Sequence, residues 1–408
     1  MLYYLKPNTI ANVTKYCLAL IVVLLSACKE KDDLTKNDGH QRPYKKSITL
    51  TMGAEKIISL DSLTSTDRVR FHHGFNSVTK KEELWLLDIL GQSLQRFDWT
   101  TGKMEKKVRL QREGSNSVGV ADQFYVVSPD SIYILSSTTF RLSLINGNGN
   151  VINYFSLING NSSKMKLGVG VQPLPKESNP LGVIDEYIFV GGYPFADRWK
   201  SNFYTDGYIG LKIDCKSKDV VPIMKLPDYF TQRYEAGFIL CGQHISGIGQ
   251  CYNPERKIIV VNIPTESHIF EVTPANPLSI KQHYAGTEEF DKIQLASKNL
   301  KDMQKEFEYY TETPEYDAIK YDPFRKQYIR FLYVPNPDKK NEFDGKPWVK
   351  ISLIILNETF EKIGEYRLKE DFFRVSSVVF TTEGMYLKKY TNVESEIAFV
   401  KFTFTPVK

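Results

Sequence analysis

The chain is poor in cysteine, with five in 408 residues, and it lacks the spacings that give cysteine and histidine a chemical task. It contains no CxxC and no HExxH, and its six histidines are scattered. Beyond Cys28 there remain Cys215, Cys241 and Cys251, which cannot all pair, so a disulfide framework is excluded. A Cys241–Cys251 bridge across a hairpin is open, but small buried apolar residues are the favoured reading. There is no Lys/Arg block to track a phosphate backbone. The net charge of +5 falls to +3 without Lys6 and Lys15, which excludes nucleic acid as an expected partner. After residue 28 no apolar run approaches the ~20 residues that span a bilayer.

What is present begins with an ordered N-terminus. A weakly basic start is followed by an apolar run of about ten residues from Cys17 to Leu25, with the length of a signal h-region. It ends on Leu25-Ser26-Ala27-Cys28, where small residues before a cysteine suit lipoprotein processing. Residues 1–27 are therefore predicted to be a lipoprotein signal peptide, and Cys28 the lipid attachment site. The charged, apolar-poor stretch from Lys29 to Gly39 cannot bury itself, so 28–46 reads as a flexible tether. Lys31-Asp32-Asp33 resembles the export signal that carries Bacteroidota lipoproteins to the outer face of the outer membrane. The expected location is the outer membrane, lipid-anchored and facing outward.

From 47 to 408 aromatic and β-branched residues form short runs separated by Gly, Asn, Asp and Pro, the signal of antiparallel strands. Val69 to Phe71, Glu83 to Asp88, Ser93 to Asp98 and Glu105 to Leu110 form a first series. Comparable series begin near Ser131, Tyr187, Lys257, Tyr316 and Val375. No single series can bury both its faces, and radial stacking solves that problem. The expected fold is all-β: a six-bladed β-propeller, with seven blades or a sandwich pair as alternatives. The last series shows three clear strands, and Lys46 to Thr51 or Lys56 to Leu60 is expected to supply its fourth, closing the ring. One helix is predicted over 288–310, because Ile293, Ala296, Leu300, Met303, Phe307 and Tyr310 fall on one stripe.

Three stretches carry a resemblance: Arg112 to Gly119, Tyr321-Asp322-Pro323-Phe324-Arg325 with the strand to Phe331, and Thr382 to Leu387 with the late strand Phe399 to Thr403. Together they resemble a lipoprotein family of the Bacteroidota described as a domain of unknown function and related to six-bladed, TolB-like propellers. The first stretch departs from the family form in lacking a proline after Gly114 and a second glycine near Ser117. The resemblance implies the fold and carries over no activity. Taken by themselves, the three stretches read as turn and strand chemistry.

The signature repeats of known propeller classes are missing: no sialidase-type Ser-x-Asp-x-Gly-x-Thr-Trp, no WD signature, and a single Gly191-Gly192 doublet where kelch repeats need many. No catalytic, cofactor-binding or metal-ligating set is identified, and no cofactor is expected. His72 and His73 are adjacent on a strand, so they point to opposite faces and do not readily share a metal. The loop around Tyr193, Phe195, Arg198 and Trp199 places aromatics beside Arg and Asp and is the candidate ligand-binding loop. These features favour a non-catalytic binding or scaffold protein of the cell envelope, with a protein or glycan ligand. The alternative is a metal-dependent hydrolase of lactonase or glycosidase type with its site in the central channel.

The anchor has a direct test. Cys28→Ala should leave the chain unprocessed or release it from membranes, as fractionation would show. Tight membrane association of correctly cleaved mutant protein would refute the assignment.

Overall fold

The structure is a computed structural model that describes residues 44–407, apart from 67, 77, 158–169, 195–206, 226–247, 291–292, 294–311, 337, 339–348 and 370–372. The strands form six antiparallel sheets, the blades of a six-bladed propeller. The chain starts with β1 (Ile48–Ser59), which belongs to the last blade. Blade 1 is β2 (Val69–Asn76), β3 (Lys81–Asp88), β4 (Ser93–Asp98) and β5 (Met104–Arg109). Blade 2 is β6 (Gln123–Ser128), β7 (Ser131–Ser136), β8 (Arg141–Ile145) and β9 (Val151–Ser156). In blade 3 the innermost position is split between β10 (Val171–Pro173) and β11 (Gly182–Ile184), followed by β12 (Tyr187–Pro194), β13 (Tyr208–Asp214) and β14 (Val220–Lys225). Blade 4 is β15 (Gly249–Asn253), β16 (Ile258–Asn262), β17 (His268–Thr273) and β18 (Asn276–Tyr284). Blade 5 is β19 (Glu315–Asp322), β20 (Gln327–Pro335), β21 (Val349–Leu356) and β22 (Lys362–Arg367). Blade 6 is β23 (Phe373–Thr381), β24 (Gly384–Lys389) and β25 (Glu396–Pro406), completed by β1.

The apolar residues are distributed as this geometry demands. Both faces of a blade are covered, so its middle strands read as continuous apolar runs rather than alternating ones. In β3, Leu84 and Leu86 join the cluster against blade 6, while Trp85 and Leu87 join the cluster against blade 2. Six such wedges fill the six gaps between neighbouring blades.

The hairpins repeat one piece of turn chemistry. A side-chain amide or carboxylate at the end of a strand accepts N–H bonds from the residues two and three further on, as Asn76, Asp88, Asp214 and Asp322 do. The residue four positions on then takes a left-handed backbone: Lys80, Gln92, Lys218 and Lys326 have φ of 58°, 48°, 65° and 50°. The Asp98 turn ends on Gly102 (φ 70°), where a Cβ would sit 2.8 Å from the Ile57 carbonyl. Glycine is required there because blade 1 abuts β1.

Ring closure uses both candidate segments at once. β1 pairs with β25 from Ile48↔Pro406 to Ser59↔Glu396, with a bulge between Met52 and Glu55 that keeps the two halves in one strand. Most of β1 is exposed, but Ile58 is fully buried in the wedge between blades 6 and 1. The helix expected over 288–310 falls almost entirely outside the described residues; Glu288 to Phe290 are not helical, and Ile293 packs into the wedge between blades 4 and 5. No helix among the described residues is long and apolar enough to cross a membrane.

The closure predicts an asymmetry in truncation. Deleting residues 47–60 should strip β25 of its partner and lower the thermal midpoint far more than trimming the chain to Lys45. Equal midpoints would refute it.

Candidate functional site

Each blade presents its innermost strand to the central axis, where side chains meet other blades rather than a facing sheet. In blade 3 the split between β10 and β11 leaves the segment from Leu174 to Leu181 to run into the channel. It folds on itself through Asn179, whose backbone N–H bonds the Lys176 carbonyl (3.0 Å) and whose Nδ2 bonds the Leu174 carbonyl (2.9 Å). A Cβ on Gly191 would lie 1.9 Å from Asn179 Oδ1, and one on Gly192 would lie 2.3 Å from the Gln172 carbonyl. Gly191 is thus the room that this plug needs, and Gly192 the room that β10 needs to pair with β12.

All five other blades hold the plug by donating to it. Arg70 Nη2 bonds the Pro175 carbonyl (3.1 Å), Gln123 Nε2 the Lys176 carbonyl (3.0 Å), and the Gln250 N–H the Ser178 carbonyl (2.9 Å). Lys320 Nζ bonds the Glu177 carbonyl. The Glu177 carboxylate accepts from Ser377 Oγ (2.8 Å) and pairs with Arg374 Nε (3.1 Å) and Arg70 Nη1 (3.8 Å). Asp317, at the bulge of β19, lies beside this group, and its Oδ2 has no hydrogen-bond partner. Burial, and then the nearby Glu315, push its carboxyl up to about 7.

Between the plug and the first hairpin turns lies a cavity of about 430 Å³ lined by all six blades. Arg70, Glu177, Lys320 and Ser377 form its floor, Tyr125, Tyr252, Tyr321 and Phe380 its wall, and Phe75 and Phe324 its rim. The rim aromatics are 60% and 42% exposed, unusual for phenylalanine. His72 and His73 both line the cavity but diverge as strand neighbours do. His72 sits edge-on to Tyr125, with centroids 4.8 Å apart, and His73 packs edge-on against Trp99 at 5.5 Å. Burial pushes both imidazoles down to about 4, so they are neutral at physiological pH. Among the described residues no group of three or more His, Cys, Asp and Glu is placed to hold a metal ion.

Of the candidate loop, Tyr193 is a strand residue paired with Gln172 and partly buried against the wedge between blades 3 and 4. Phe195, Arg198 and Trp199 lie outside the described residues, as do Cys28 and Cys241. Cys251 is a buried free thiol and Cys215 a free thiol beside Tyr133. The Tyr321 to Phe331 stretch is structural. Asp322 caps its own turn and holds Arg325 Nε at 2.6 Å, while the fully buried Arg330 bonds Asn262 Oδ1 (2.7 Å) and the Ala285 carbonyl (2.9 Å) across to blade 4.

Sequence reading missed the plug and its clamps. Its signal was a charged residue inside an otherwise apolar strand, Arg70 after Val69 and Lys320 after Ile319, which marks a strand facing a channel.

Residues 47–367 match the family model of a domain of unknown function, DUF4221. The chain belongs to the DUF4221 family. A crystal structure of a DUF4221 member from Bacteroides vulgatus superposes with a TM-score of 0.72 at 18% identity, covering 89% of this chain and all of that one. A putative exported protein from Bacteroides fragilis gives a TM-score of 0.48 at 10% identity, over 88% of this chain and 96% of that one. No curated protein matches the sequence. At such identities the likeness fixes the fold of a DUF4221 chain and leaves its ligand to be argued from the site.

Asp317 makes stability depend on pH with a defined sign. Its carboxyl ionises near 3.8 when unconstrained and near 7 when folded. Between these values the folded state holds a proton that the unfolded state has released, so this group's contribution is lost as pH rises through the interval. Asp317→Asn should therefore stabilise the protein by roughly 1–3 kcal/mol at pH 7 and by less at lower pH. Denaturant titrations of both proteins across that range check this; a difference independent of pH would contradict it.

Proposed function

We propose that this DUF4221 chain is a lipid-anchored envelope propeller, displayed outside the outer membrane, that captures a small ligand in its central cavity without transforming it. The observation that carries this reading is the division of the axis into a filled half and an open half. The plug occupies one half, its only side-chain carboxylate facing the cavity being Glu177, already engaged by two arginines and a serine. The open half is a concave space with a largely apolar wall and a few convergent polar groups, the usual make-up of a ligand site. The neutral imidazoles of His72 and His73 can each offer one donor or one acceptor to a guest. The loop containing Phe195, Arg198 and Trp199 is a second proposed contact surface, for an envelope protein or glycan. The anchor on Cys28 and the outward orientation rest on the N-terminal sequence.

Gly74 allows the cavity to be closed cleanly. It lines the cavity on β2, and a Cβ added there meets nothing nearer than His72 Nε2 at 3.7 Å, an ordinary contact. Gly74→Trp should fill the space with a melting temperature close to wild type. Native mass spectrometry of the full chain after incubation with an envelope extract should show a small-molecule adduct on wild type, lost in Gly74→Trp. Chemical change of the adduct on standing would point to the hydrolase reading instead. Retention by Gly74→Trp with loss in Phe195→Ala/Trp199→Ala would move the site to the loop.

A further inference from the structure

The ligand class can be narrowed from the charges on the cavity floor, an inference that rests on the cavity being the binding site. Besides the two neutral imidazoles, the ionisable groups lining the space, tyrosines and Cys251 aside, are Arg70, Glu177 and Lys320. Glu177 is spoken for: Arg374 and Arg70 share its carboxylate, with Ser377 as a third donor. Lys320 is placed differently. Its one hydrogen bond among the described residues goes to a neutral acceptor, the Glu177 main-chain carbonyl, and it makes no ion pair among them. The nearby Asp317 makes no ion pair with it: its Oδ2 has no hydrogen-bond partner, and burial with Glu315 pushes its carboxyl up to about 7. Lys320 lies deep in the molecule on β19, yet part of its side chain is exposed into the cavity. Burial pulls the Lys320 amine down from the usual lysine range, so an anion that reaches it both restores its charge and meets two donors that no described residue uses.

The rest of the space restricts which anion that is. Tyr125, Tyr252, Tyr321, Phe324 and Phe380 form a sleeve between the ammonium and solvent, so the body of the guest must be apolar. One unpaired cation balances one negative charge; a phosphate dianion would bring a second beside Glu177. At about 430 Å³ the cavity is near the small end of ligand sites, which run ~300–1,000 Å³. We propose that the cavity binds a monocarboxylate with a single-ring or short-chain apolar body, its carboxylate on Lys320 and its body against the tyrosine and phenylalanine wall.

Calorimetry of the full chain with phenylacetate and octanoate, each beside its neutral amide, tests this on unmodified protein. The carboxylates should bind at least ~10-fold more tightly than the amides, the margin expected of a charge-assisted hydrogen bond. Gly74→Trp should abolish both interactions, and Lys320→Met should reduce carboxylate affinity to the amide level. Equal affinity of acid and amide in the wild type would overturn the anion assignment while leaving the cavity as a binding site. Carboxylate binding that survives in Gly74→Trp would place the anion site elsewhere and overturn the proposal. No binding of either class at millimolar concentration would overturn both.

Discussion

The antiparallel pairing of β1 with β25 is the constraint on which the rest of the molecule depends. Five blades are made by chain that is local in sequence, but the sixth takes its outer strand from the opposite end of the domain. Without it, β25 would present an open edge, and the wedge containing Ile58, Val69, Leu84 and Phe399 would lose part of one wall. The rest of that wedge, Val69, Leu84 and Phe97 of blade 1 against Val379, Tyr386 and Phe399 of blade 6, would then have to hold the ring around its axis by itself. The closing strand can be mostly exposed because hydrogen-bonding and a few inserted residues, rather than a large buried face, are what it contributes.

Closure makes the channel, and the channel is what gives the innermost strands their unusual composition. An axis wide enough for side chains from six directions must be filled, hydrated or left for a guest. Here one half is filled by a loop of blade 3 whose carbonyls satisfy donors from four neighbours and whose Glu177 carboxylate satisfies the fifth, so the plug also ties the blades together at the centre. Burying Arg70 and Glu177 is costly unless each charge is paired and hydrogen-bonded, and the plug meets both conditions. The other half stays open, and Lys320 lies at the boundary between the two.

The middle strands were legible because both of their faces are buried. Leu84 to Leu87, Ile258 to Val261 and Leu353 to Leu356 announce themselves as apolar runs, and the Asp and Asn residues after them mark the turns. The innermost strands of blades 2, 3 and 4 were not legible. β6 carries polar or exposed residues at both ends, β10 and β11 are three residues each, and β15 begins with glycine and glutamine. Strands that face an axis lack the periodicity that burial on a sheet face imposes. The candidate site was hidden for the same reason: Arg70, Gln123, Glu177, Gln250 and Lys320 are separated by up to 250 residues, and nothing local says that they share one axis.

Neighbours along the chain settle the strand runs and turn residues, and they point to a propeller of six blades, with seven left open, and to two N-terminal segments that could complete the last blade. Local burial pattern and turn chemistry are enough for that, since a hairpin is specified by residues within a few positions of each other. The folded ring was needed to show that the bulged β1 uses both candidate segments, that Gly191 makes room for the plug while Gly192 admits β10, and that Lys320 lacks an ion-pair partner among the described residues beside a cavity. Those facts are distances between residues far apart in the chain, and such distances come into being only when the ring is closed.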